Sequence, residues 1–144
     1  MDSILPTITK IASSGVILPG IGMTLMGLGV IDTDPKLAGV ATVFTSPLNL
    51  PLEPFLVLVG SVKVWAVLRL WFDKVPPSSK LGKNLAWIGL ASPAAAAVYG
   101  HHQTEGIGST IAPTIYLCVL ATCHYFETKK ETEGQEAAKT TKED

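Results

Sequence analysis

Charge is scarce in this chain. Lys, Arg, Asp and Glu make up 16% of its 144 residues, against about 25% in ordinary soluble domains. Much of that charge falls between Glu127 and Asp144, so the remainder is an apolar body. Eleven basic and twelve acidic residues nearly cancel. No basic stripe with interleaved aromatics occurs, which argues against a nucleic-acid-binding surface. Cysteine is rarer still: Cys118 and Cys123 are the only two. On one helix they would point about 140° apart and could not bond without unwinding it, so they read as small apolar core residues. A P-loop, a GxGxxG turn, a nucleophile elbow and a CxxC pair are all missing, which leaves no catalytic constellation to read. The N-terminus lacks the basic region and cleavage site of a secretory signal and is not an Arg-rich transit peptide, so its apolar run is expected to be retained. The C-terminal residues form neither a retention signal nor a lipidation box.

Long apolar runs are what the chain does have. Nearly half of it, 47%, is hydrophobic, and its mean hydropathy is +0.37. Four segments approach the ~20 residues that a bilayer span requires: roughly Ile11 to Ile31, Pro54 to Phe72, Leu81 to Tyr99 and Ile107 to Phe126. Gly15, Gly22 and Gly29 recur at heptad spacing in the first, and Gly89, Pro93 and Ala97 at four-residue spacing in the third. Both series are expected to be seams for close helix contact. Between the first two spans, Leu37 to Phe44 is too short to cross and is expected to form an interfacial or re-entrant piece. Short connections at Asp73–Lys80 and Gly100–Gly106 make successive helices antiparallel neighbours. The expected fold is an all-α integral membrane four-helix bundle, up-down-up-down, over residues 1–126, followed by a charged, flexible, disordered tail over 127–144. Lys10, Lys74, Lys80, Lys83 and the tail lysines gather on one side, against Lys36 alone on the other. The positive-inside rule then places both termini in the cytosol or an equivalent stromal or matrix compartment.

Lys63 stands in the middle of the second span, about 13 Å from its start. A charge at that depth is costly and usually faces a partner or a cavity. Ser92 and Tyr116 lie at the same depth on other spans, and no carboxylate does. Three roles are open for Lys63: structural bonding to Tyr116 and Ser92, a neutral or water-reaching amine, or contact with an anionic ligand or partner subunit. Arg69, near a helix end, is expected to snorkel to headgroups. His101 and His102, with Glu105, cluster at the far mouth and read either as polar caps or as ligands to a haem or pigment. His124 lies at the opposite end, so the histidines cannot share one metal ion. Trp71, Trp87, Tyr125 and Phe126 near one interface, and Tyr99 near the other, suggest an aromatic belt.

The stretch Val59 to Lys130 contains Gly60-Ser-Val-Lys-Val-Trp-Ala-Val-Leu68, Ala86-Trp-Ile-Gly-Leu-Ala91, Ala96-Ala-Val-Tyr-Gly-His-His-Gln103 and Leu120-Ala-Thr-Cys-His-Tyr-Phe126. These pieces resemble the DoxX-like superfamily of small four-helix membrane proteins, in its eukaryotic branch. The resemblance implies a four-helix membrane fold, with functions ranging from oxidoreductase-associated subunits to receptor-assembly factors. Many members carry an acidic residue in the second helix, where this chain has Lys63 and Trp65. The expected function is that of a non-enzymatic accessory subunit or assembly factor, embedded in the lipid bilayer and bound to other membrane-protein subunits through helix faces. The alternative is a redox-linked subunit that holds a quinone or pigment between helices. No cofactor is required by the sequence, and a lipid, quinone or pigment fits the apolar interior.

Overall fold

The computed structural model describes residues 4–140, with side chains over 7–134. Among the described residues there are helices and no strand. The α-helices are α1 (Ile4–Ser14), α2 (Ile17–Gly27), α3 (Pro35–Thr45), α4 (Leu52–Trp71), α5 (Lys80–Thr104) and α6 (Ile111–Thr140), with short 3₁₀ turns at Ser46–Leu48 and Ile107–Thr110. Three stretches are long and apolar enough to cross a membrane: Thr7–Gly27, Leu52–Trp71 and Ile107–Gly134. At 25 residues α5 has the length, but lysines and Asn84 at one end, histidines at the other and an alanine-rich middle keep it outside that class.

The first span is broken, not continuous. Residue 19 is proline, which has no N–H to bond the carbonyl of Gly15 and whose ring crowds the preceding turn. The helix therefore stops at Ser14 and restarts at Ile17. It ends in a Schellman cap: Val30 N–H bonds Leu25 O at 2.9 Å and Gly29 N–H bonds Met26 O at 3.0 Å. Gly29 takes φ of +69° to close that cap, a conformation open to glycine at little cost. The short piece between the first two spans is a true helix, α3. Asp34 caps it by accepting from Lys36 N–H at 2.8 Å, and Pro35 occupies the first turn.

Helix α4 packs against α1, α2, α3 and α5, and α1 and α5 each pack against α6. The α2–α4 contact runs through glycines, but not those of the expected seam. A Cβ on Gly60 would stand 2.5 Å from the Gly20 carbonyl oxygen, and one on Gly27 would stand 2.5 Å from that of Glu53. Gly22 and Gly29 have nothing within 4 Å, and Gly15 meets only its own turn. Thus Gly15 lies at the break, Gly29 serves the cap, and the face that meets α4 is Gly20–Thr24–Gly27. Of the second expected seam, Gly89 makes a close contact, since a Cβ there would lie 3.1 Å from Val62, whereas Pro93 and Ala97 line cavities.

Two buried clusters share α4. Val16, Ala66, Val67, Trp87, Leu90, Leu120 and Cys123 belong to one. Met23, Ala41 and Leu56 form the other, with Phe55 and Val59 packed against it. Cys123 is buried as expected, whereas Cys118 is exposed. Trp87 also leaves the expected interfacial belt: it is buried and packs on the His124 ring at a centroid distance of 5.3 Å.

The charged stretch after Phe126 continues α6 instead of fraying from it. Lys83 Nζ pairs with Glu127 at 3.0 Å and with Glu131 at 3.1 Å, so α6 stays docked on the start of α5. Residues 141–144 of the expected tail lie outside the described residues. Arg69 does not snorkel either. Only 3% exposed, it donates from Nε to Pro77 O (2.9 Å) and from Nη2 to Ser79 O (3.1 Å). With Trp65 Nε1 donating to Pro76 O at 3.0 Å, it pins the α4–α5 loop to α4.

Candidate functional site

Lys63 falls on α4 between the two buried clusters, after Val59 and before Ala66. It lines two adjoining cavities. The larger, 380 Å³, is walled by the α1–α2 break, by α5 and by the start of α6. The smaller, 90 Å³, lies toward α2 and α3 and is lined by Met23, Val40, Phe44 and Phe55. Pro93 and Ala97 of α5 also line both. The larger volume is within the range of small-molecule sites, ~300–1,000 Å³.

Prolines account for the space. Pro19, Pro93 and Pro113, from three different helices, all line the larger cavity. Each lacks an amide donor and presses a ring on the turn before it. Where they meet, the helices do not close on one another as α2 and α4 do at Gly20 and Gly60.

The polar groups on this apolar wall are few. Lys63 Nζ donates to the Met23 thioether at 3.3 Å, and thioether sulfur is a weak acceptor. The Tyr116 hydroxyl lines the larger cavity and is buried without a hydrogen-bond partner. Gly20 confines the lysine stem: a Cβ there would lie 3.1 Å from Lys63 Cβ. The arrangement can hold an apolar molecule beside two side chains that carry donors, Lys63 and Tyr116.

Of the sequence-predicted residues, Lys63, Tyr116, Gly15 and Ala97 meet at this cavity. Ser92 does not: it is exposed on α5. Gly89 faces α4. His101 and His102 sit in the last turn of α5, away from the cavity. His101 Nδ1 lies 3.2 Å from Glu105 Oε2, and His102 is exposed. A hydrogen bond from Ser109, with a further one from His101, holds the Glu105 carboxyl below its ordinary pKa. Among the described residues no three His, Cys, Asp or Glu side chains gather as a metal site. Sequence reasoning missed Met23 and the three prolines. The prolines were visible as residues, but only the packing brings them to one level.

The chain matches no known family, no curated protein and no solved structure.

Proposed function

We propose that the chain is a multi-pass membrane protein in which α5 joins the three apolar spans to make an up-down-up-down bundle, and that it serves as an accessory subunit or assembly factor for other membrane proteins. The likeness of Val59–Lys130 to DoxX-like proteins belongs to the same proposal. The carrying observation is the outer face of α6. Only 11% of its apolar window is buried within the chain, against 28% in each of the other two spans. That face bears Thr114, Cys118 and Thr122 at four-residue spacing, all exposed and all lining one groove with Ile8 and Ile115. Small residues at this spacing let a second helix approach closely in a membrane. Thr114→Trp would fill the groove without touching the core. Purified in mild detergent from native membranes, the wild-type chain is expected to bring stoichiometric partner subunits, and the variant is expected to lose them while keeping its own yield. A wild-type chain that runs alone overturns the proposal.

A second function is favoured by Lys63 and Tyr116. Two donors on an apolar cavity, one bonded only to a thioether, suit a quinone, pigment or lipid with an acceptor oxygen. Solvent extraction and an absorption spectrum of the same purified sample test this. A sample that yields no such molecule removes the redox-linked alternative.

A further inference from the structure

A separate pocket lies where α4 ends, α5 begins and α6 runs past both. Its volume is 390 Å³. Arg69, Lys80, Lys83 and Lys130 line it, against the carboxylates of Asp73 and Glu131. Arg69 is the informative member. Its guanidinium is charged at any accessible pH and is 97% buried, as its 3% exposure states. Two of its nitrogens are spent on loop carbonyls. The third, Nη1, is buried and makes no hydrogen bond. The nearest carboxylate oxygen, on the fully exposed Asp73, stands 3.6 Å away, beyond hydrogen-bonding reach.

The first turn of α5 borders the same pocket. Ser79 caps that helix, its hydroxyl accepting from Gly82 N–H at 3.2 Å, and also lines the pocket. A helix N-terminus carries partial positive charge and free amide donors. Lys83 is already engaged by Glu127 and Glu131. Lys80, 61% exposed and only 3.6 Å from Glu131, is far less committed. The donors left for a ligand are therefore Arg69 Nη1, the Lys80 ammonium and the start of α5.

We propose that this pocket binds a phosphate group. A carboxylate pairs best with two nitrogens of one guanidinium, and here Nε and Nη2 of Arg69 already donate to loop carbonyls, so the donors converge from separate groups. A tetrahedral phosphate accepts from three directions at once, as this donor set requires. The pocket also sits where the apolar span Leu52–Trp71 ends, at the level of lipid headgroups. A headgroup monoester and a free phosphate ester share the chemistry.

The full chain, reconstituted in nanodiscs of phosphatidylcholine with or without phosphatidic acid, is read by native mass spectrometry for retained lipid. Preferential retention of phosphatidic acid is expected. Lys80→Gln is expected to weaken it by about fivefold, the worth of one lysine near a membrane surface. Asp73→Asn, which removes the competing charge beside Arg69, is expected to tighten it. Neither position carries the loop-pinning bonds that Arg69 makes, so both variants keep the fold. Inorganic phosphate that displaces the lipid assigns the site to soluble phosphate; failure to displace assigns it to the headgroup. Equal retention of both lipids with no response to phosphate overturns the proposal, as does a preference that neither variant changes.

Discussion

Gly60 decides how closely α2 and α4 approach. Its α-carbon faces the Gly20 carbonyl and the Thr24 hydroxyl, with no room for a methyl group. Gly60→Ala should destabilise the protein by about 1–3 kcal/mol, the usual cost of overpacking. Gly22→Ala adds a methyl group to open space and should be neutral or slightly stabilising, because alanine favours helix over glycine by about 1 kcal/mol. Thermal melts of both variants in the same detergent check the contrast. The sequence holds two heptad-spaced glycine series in this region, 15–22–29 and 20–27, and spacing alone does not rank them. The choice rests on a cap that claims Gly29 and a proline that breaks the helix at Gly15. Lys63 was legible as an anomaly and its level was right, yet Ser92 at the same level points outward. Depth follows from counting residues, whereas direction around a helix axis depends on which neighbours it packs against. Lys63→Met replaces a buried amine by an apolar side chain of similar length. The change gives up one bond to a weak thioether acceptor and leaves no opposite charge unpaired, so the melt of this variant should not fall.

The cores of the helices could be read from apolar runs, and their ends could not. Pro54 to Phe72 and Leu81 to Tyr99 lie close to α4 and α5, because proline and the Ser79 cap punctuate them. The charged stretch after Phe126 was misjudged for a physical reason: its composition is that of a solvated segment, and its order comes from ion pairs with residues 44 and 48 positions earlier. Lys83→Gln should release the end of α6, seen as faster amide hydrogen exchange from Glu127 to Gly134 and unchanged exchange in α4.

At the scale of the whole molecule, the end of α4, the start of α5 and the charged part of α6 share one face, stitched by Arg69 and Lys83, and the Trp71–Ser13 bond of 2.9 Å ties the end of α1 to it. With cysteines introduced one at a time, Ser78→Cys and Thr140→Cys should react with an impermeant maleimide from one side of a vesicle, and Asp32→Cys from the other. Reaction of Ser78→Cys and Asp32→Cys from a common side would remove the four-span topology. The position of Lys63 has an electrical meaning as well. Its ammonium bonds the Met23 thioether at 3.3 Å, near the middle of α4. A potential of 100 mV does about 2.3 kcal/mol of work on a charge carried fully across. If α4 spans the bilayer as proposed, the same potential acts on a protonated Lys63, halfway through, with roughly half of that.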